Sequence, residues 1–337
     1  MALNHLGRFW LCKTKATLFK NITQEKPTKL VRHFRKAKSK IEAKEPQVNP
    51  GSLETPFSNV YVGSGDLNSN KLWKPLIFTI GFSGASFVGC AIWEYERMRS
   101  NAISALKRPI KFFKRKADIS GSEKTNNYLI NLLNALTKET KNWWNTLTPG
   151  QKMFMPICAF NILVFAAWRI PRFQPFMLNY FASNPASPNQ CLPMILSTFS
   201  HYSGFHLLAN MYVLHSFSTG AVHSLGKEQF LALYLSSGVI SSFTSYFYKI
   251  VTKQPGLSLG ASGAIMAVLG YVSGAAIKFI VGLDTAGVLL GWKFFDHAAH
   301  LGGAVTGIVW ALWGNQNLWP KREPVLRYWH QLRGSIR

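Results

Sequence analysis

The sequence is short of acids and of cysteine, and both shortages narrow what the chain can be. Its 337 residues hold 14 Asp+Glu against 38 Lys+Arg, a formal net charge of +24. Such an excess ordinarily points to nucleic acid. Here, however, the charges are segregated from the apolar sequence. Eleven Lys/Arg and a single acid, Glu25, fall in the first forty residues. Between Gln151 and Trp319 there are three acids (Glu228, Asp284, Asp296) and eight Lys/Arg among long apolar runs. The mean hydropathy of +0.04 therefore averages a basic polar front and an apolar rear. That pattern excludes a nucleic-acid-binding protein and a soluble enzyme, and it predicts an all-α polytopic membrane protein embedded in a lipid bilayer. The four cysteines (Cys12, Cys90, Cys158, Cys191) form no C-x-x-C pair. They offer no disulfide framework and no thiolate metal site, and they read as small apolar fillers. There is no repeat of solenoid period, no strand-rich region, and no unbroken apolar core of a secretory signal near the start.

What is present divides the chain into stretches. Residues 1–45 alternate basic, hydroxyl and apolar residues (Arg8, Phe9, Trp10, Leu11, Lys13, Lys15, Leu18, Phe19, Lys20). That composition predicts a mitochondrial targeting segment; the plainer alternative is a disordered basic tail held near anionic lipid. Residues 46–72 are rich in Pro, Gly, Ser and Asn and read as a linker. A spanning helix needs about 20 largely apolar residues. Residues 73–94 supply one, apolar over 75–93 and ending at Glu94-Tyr95-Glu96-Arg97. Residues 95–150 read as a polar basic loop with an amphipathic helix around 126–136 and the Trp143-Trp144 pair suited to a membrane interface. Residues 151–319 form the core, with further spans over 153–168, 205–225, 230–250 and 298–313. Within it, residues 257–292 are too long for one span and are broken by Lys278 and Asp284. Residues 320–337 are a basic tail. Basic residues flank both ends of several spans, so they do not fix the orientation.

Polar residues within spans are costly and mark function. The pair His206 and Asn210, at i and i+4, shares one helix face and can address one spot. It can equally serve as interhelical hydrogen bonding. The string Gly260-Ala261-Ser262-Gly263-Ala264 resembles a nucleophile elbow, although Ala264 stands where the soluble G-x-S-x-G pattern has Gly. A serine opening a helix would meet backbone N–H groups and the positive dipole end, which favour an oxyanion. Small-residue helix packing, supported by Gly270 and Gly274, is the competing reading. The third string is Asp296-His297-Ala298-Ala299-His300-Leu301-Gly302-Gly303. His297 and His300 at i,i+3 make a weak metal pair, H-E-x-x-H is absent, and no metal or organic cofactor is expected. Together the strings supply a nucleophile (Ser262), a base (His300) and oxyanion donors (His206, Asn210). Asp296 invites a triad, but an i,i+4 neighbour on the same helix rarely aims at the far edge of the ring.

From Lys152 onward the chain resembles the rhomboid intramembrane serine proteases, most of all their mitochondrial presenilin-associated rhomboid-like branch. The residues that carry the resemblance are Trp168-Arg169, His201, His206 with Asn210, Leu259 through Ala264 (including Gly260 and Gly263), and Gly291-Trp292-Lys293-Phe294-Phe295 followed by Asp296 through Gly303. The resemblance implies a Ser262–His300 dyad, oxyanion donors from His206, Asn210 and the Ser262 backbone, and six core helices plus one N-terminal helix. It also implies the mitochondrial inner membrane and single-span membrane proteins as substrates.

One departure stands out. Ser262 and His300 are 38 residues apart. That is about twenty short of the family's usual interval, roughly one spanning helix. If the chain turns near Ser273–Gly274, two short legs result and the dyad can meet. If 262–290 is one helix of about 42 Å, His300 is delivered to the wrong side. The second case motivates an alternative function, a catalytically inactive rhomboid-like binder of membrane clients. A proton-relay transporter would need paired acids, and Asp284 and Asp296 are the acids at hand.

Overall fold

The computed structural model describes residues 67, 70, 72–115, 128–254, 256–289 and 296–335. The targeting segment 1–45, nearly all of the linker 46–72, Cys12 and the Gly291-to-Phe295 part of the third motif lie outside the described residues. The described chain is helical throughout, with one isolated antiparallel bridge between Ser183 and Ser258. The helices are, in chain order, α1 (Trp73–Arg115), α2 (Tyr128–Thr146), α3 (Pro149–Ala167), α4 (Gln174–Tyr180), α5 (Cys191–Leu196), α6 (Gly204–Leu225), α7 (Lys227–Val251), α8 (Ser262–Val272), α9 (Gly274–Leu289), α10 (His297–Val309) and α11 (Glu323–Ser335). Among the described residues, three stretches are long and apolar enough to cross a membrane on their own: Trp73–Leu106, Pro149–Ala167 and Lys227–Val251.

Local chemistry sets the boundaries. Thr148 and Gln151 form a reciprocal capping box ahead of α3, with Pro149 in the first turn, where its missing N–H costs nothing. Gly226 at φ +78° separates α6 from α7, a backbone conformation that glycine adopts without strain.

The first helix corrects the expectation. It does not stop at Trp93 before a loop but runs on to Arg115, 43 residues or about 65 Å. That is roughly twice the ~30 Å hydrocarbon thickness. Much of residues 95–150 is thus helix, and the helix expected around 126–136 is α2, described from Tyr128 and running on to Thr146. Along α2, Leu132, Leu133, Leu136, Trp143 and Trp144 are exposed. The charges that looked like the end of a span are cross-links instead. Arg97 pairs with the buried Glu228 at the start of α7. Arg322 pairs with Glu94, and Glu96 accepts from Trp329 and Arg333 of α11. Phe87 stacks on Trp310 at 4.4 Å, so α1 is fastened along both its apolar and its charged sections.

The centre of the bundle is the contact of α8 with α10, enclosed by α6 and α7. Here the two backbones touch. A Cβ on Gly303 would fall 2.0 Å from the Gly263 carbonyl oxygen, and one on Gly307 would fall 2.0 Å from that of Ala267. Small-residue packing and the candidate serine therefore share one helix. Gly303→Val should cost about 1–3 kcal/mol from overpacking alone. We expect a lower midpoint in a detergent thermal-denaturation assay, whereas an unchanged midpoint would mean that this contact does not hold the bundle together.

Between Ser262 and His300 the chain takes the first of the two courses set out above. Helix α8 ends at Val272, Ser273 is extended (φ −129°, ψ 89°), and α9 begins at Gly274. The legs are 11 and 16 residues, about 16 and 24 Å. The second leg, α9, packs against α10, the helix that carries His300.

Candidate active site

Ser262 is the first residue of α8, after Gly260 at φ +134° and Ala261. The first i→i−4 bond of the helix runs from Ile265 N–H to the Ala261 carbonyl at 3.0 Å. The N–H groups of residues 262–264 thus precede the helical ladder and point toward the serine's end of the helix. Gly260 is required twice over. Its φ suits glycine, and a Cβ there would lie 2.8 Å from Cε1 of His206.

The approach to Ser262 is held by main-chain bonds. Gly260 N–H donates to the Ser197 carbonyl at 2.9 Å, and Ser258 bridges to Ser183 in the long connection after α3. His201 is fully buried and its Nε2 accepts from Ala261 N–H at 3.3 Å. Its ring meets that of His206 edge to face at 5.0 Å. His201 is thus a positioning residue that the sequence reading quoted only within the resemblance.

His206 stands on the first turn of α6, against Gly260, and Asn210 is buried one turn further along. Asn210 Nδ2 donates one of its two amide hydrogens to the His206 carbonyl at 2.9 Å. The start of α6 is in turn fastened by Trp168 and Arg169. Trp168, 1% exposed, donates Nε1–H to Ser200 Oγ at 2.8 Å. Arg169 donates to the Tyr202 carbonyl and lies over the Phe165 and Tyr202 rings. Their role is to set the segment that delivers His201 and His206.

On α10, His300 Nε2 lies 2.9 Å from Ser262 Oγ. On the ring's other edge, Nδ1 is 3.1 Å from Asp284 Oδ1, and the same oxygen is 2.6 Å from His297 Nδ1. With Asp284 accepting Nδ1–H, the Nε2 lone pair of His300 faces the serine hydroxyl. The acid beside the base is therefore on α9, not on α10. Asp296 caps α10, accepting from Ala299 N–H at 3.1 Å, and also holds Ser245, Ser258 and Lys249. It anchors the loop and the helix end and takes no part in a triad. Asp284 had one available signal, an acid inside an otherwise apolar stretch, which is costly unless paired.

The structure thus brings Ser262, His300, His206 and Gly260 to one place, supplied by α6, α8, α10 and the preceding loop, and adds Asp284 and His201. A serine, an imidazole set between it and a carboxylate, and a helix N-terminus can carry out nucleophilic acyl transfer.

Known proteins resemble this chain over most of its length. A Rhomboid domain matches residues 188–316. The human "Presenilin-associated rhomboid-like protein, mitochondrial" is 44% identical over 332 residues, covering 89% of this chain and 83% of that protein. The mouse protein of the same name is 44% identical over 330 residues, covering 89% and 84%. "Rhomboid protein 1, mitochondrial" of Saccharomyces cerevisiae is 32% identical over 184 residues, covering 48% and 53%. With helices able to span a bilayer, these similarities make the chain a multi-pass protein of a mitochondrial membrane.

Proposed function

We propose, from the premise that this chain belongs to the rhomboid family, that it is a serine endopeptidase of the mitochondrial inner membrane that cuts the transmembrane helices of single-span proteins. The observation that carries this reading is the 2.9 Å contact of Ser262 Oγ with His300 Nε2 across two helices. In this reading residues 1–45 direct the chain to mitochondria, residues 46–72 link that segment to α1, and residues 151–319 are the catalytic core.

The chemistry follows from the geometry. His300 Nε2 takes the Ser262 hydroxyl proton while Oγ attacks a carbonyl carbon of a locally unwound substrate helix. Asp284 accepts His300 Nδ1–H, which holds the tautomer and stabilises the imidazolium that forms. The carbonyl oxygen gains the negative charge and is met by the N–H groups opening α8 and by donors from His206 and Asn210. His300 then gives its proton to the leaving amine nitrogen as the C–N bond breaks. A water then loses a proton to His300 and attacks the acyl carbon; the C–Oγ bond breaks as His300 returns that proton to Ser262 Oγ, freeing the new carboxyl terminus and regenerating the serine and the neutral imidazole. Every step uses groups of this chain, and water must reach Ser262 from one membrane face.

The binder reading drew on the short Ser262–His300 interval. The turn at Ser273 accommodates that interval, which favours the protease reading. The relatives are named presenilin-associated; we take the partners of this chain to be membrane proteins, without carrying that particular partner over. The test is reconstitution of the full chain in liposomes with a tagged single-span reporter. The proposal expects time-dependent cleavage within the reporter's span, blocked by a fluorophosphonate. Capture of an intact reporter by correctly inserted protein would replace this proposal with the binder.

A further inference from the structure

We infer that Asp284, His297 and His300 form a divalent-metal site, suited to Zn²⁺, whose occupation switches the protease off; the switching rests on the function proposed above, whereas the binding does not. Spacing alone gave two histidines at i,i+3 and no carboxylate to complete them. The turn at Ser273 supplies the carboxylate by folding α9 back onto α10. One ligand atom from each of the three residues lies within 4.8 Å of the others, and the three residues are buried, at 5%, 6% and 7% exposure.

The donor set fits zinc better than the alternatives. Two imidazoles and one carboxylate with room for a water make a familiar four-coordinate set. Ca²⁺ and Mg²⁺ prefer six or more oxygens. Zinc bonds of about 2.0–2.1 Å at tetrahedral angles put neighbouring ligand atoms about 3.3 Å apart. The pairs observed, His297 Nδ1–Asp284 Oδ1 at 2.6 Å and His300 Nδ1–Asp284 Oδ1 at 3.1 Å, need to open by about 0.7 and about 0.2 Å to reach that spacing.

The consequence for His300 is a change of tautomer. A neutral imidazole carries one proton. Zinc bonded at Nδ1 takes the lone pair there, so that proton moves to Nε2. No net proton is gained or lost. Nε2–H then donates to Ser262 Oγ and has no lone pair with which to remove the hydroxyl proton. The serine and histidine stay in contact, 2.9 Å apart in the metal-free geometry, yet the base is silenced. The metal is thus an inhibitor here and takes no part in the reaction.

The test uses the full chain in detergent, stripped with a chelator and then titrated with Zn²⁺ alone against a chromophoric competitor. Wild type and Ser262→Ala should each bind one equivalent. Asp284→Asn and His297→Gln should weaken that binding by at least about 10- to 100-fold, the loss seen when even an outer-shell partner is removed. Co²⁺ in wild-type protein, which needs no variant to fold, should give the intense visible bands of a four-coordinate site. Reporter cleavage by wild type should stop on zinc addition and return on chelation, while His297→Gln, judged against its own zinc-free rate, should lose that response. Failure of wild type to bind a stoichiometric zinc, or equal binding in all four proteins, overturns the inference. Stoichiometric, ligand-dependent binding in a chain that neither cleaves nor labels after chelation supports the site and removes the protease reading instead.

Discussion

Cleavage of a single-span reporter by His300→Ala is expected to fall by roughly 10⁴- to 10⁶-fold, to the level of the uncatalysed background, and Ser262→Ala should fall as far. In the proposed mechanism the two residues act as one unit, because the hydroxyl oxygen is a weak nucleophile until Nε2 takes its proton. Removing the base leaves an inert alcohol, and removing the alcohol leaves a base with nothing to activate. The double variant should therefore be no slower than either single one, and this strong non-additivity is the signature to measure. Both substitutions leave the Gly263–Gly303 backbone contact untouched. Insertion and thermal midpoint should stay close to wild type. Single variants that retain substantial cleavage, or that add independently, would mean that the chemistry lies elsewhere.

Asp284→Asn is expected to produce the second largest loss, roughly 10²- to 10⁴-fold in kcat with little change in KM. The carboxylate is 3.1 Å from His300 Nδ1, on the edge of the ring away from Ser262. An amide of the same shape can turn its NH₂ toward Nδ1, which favours the tautomer with Nε2–H facing Ser262. It also removes the negative charge that steadies the imidazolium in the transition state. A residue that merely filled space would lower stability and leave kcat of the folded fraction alone. The split between kcat and KM, measured on protein of equal thermal midpoint, separates the two roles. An unchanged kcat would leave Ser262 and His300 as a plain dyad positioned by packing.

How much of this was legible before the fold was known depends on the range of the interaction. Ser262, His206, Asn210 and His300 sit in short strings whose composition already conflicts with a lipid environment, so they could be picked out singly. The helix break at Ser273–Gly274 was one of two courses that the sequence left open, because a small polar residue beside glycine can either end a helix or sit within one. Asp284 could not be assigned to His300. Each residue advances a helix by 100°, so an uncertainty of two residues in where α9 starts turns its acid to the opposite face. The same limit affected α1. Glu94 to Arg97 read as the end of a span, since nothing local shows that Glu228, Arg322 and Arg333 wait to pair with them. Charges mark where a helix can leave the hydrocarbon, but not where it stops. Asp296 shows the converse case, where local position invited a triad and the cap of α10 with Ser245 and Lys249 claimed the side chain.

In the proposed mechanism a chain with a shortened stretch between its serine and its histidine still assembles an activated serine. Labelling by a fluorophosphonate probe in liposomes tests this without any knowledge of the substrate. The account predicts that correctly inserted wild type is labelled at Ser262, and that labelling is lost in both Ser262→Ala and His300→Ala. Absence of labelling in inserted, metal-free wild type, or labelling that persists in His300→Ala, would contradict it.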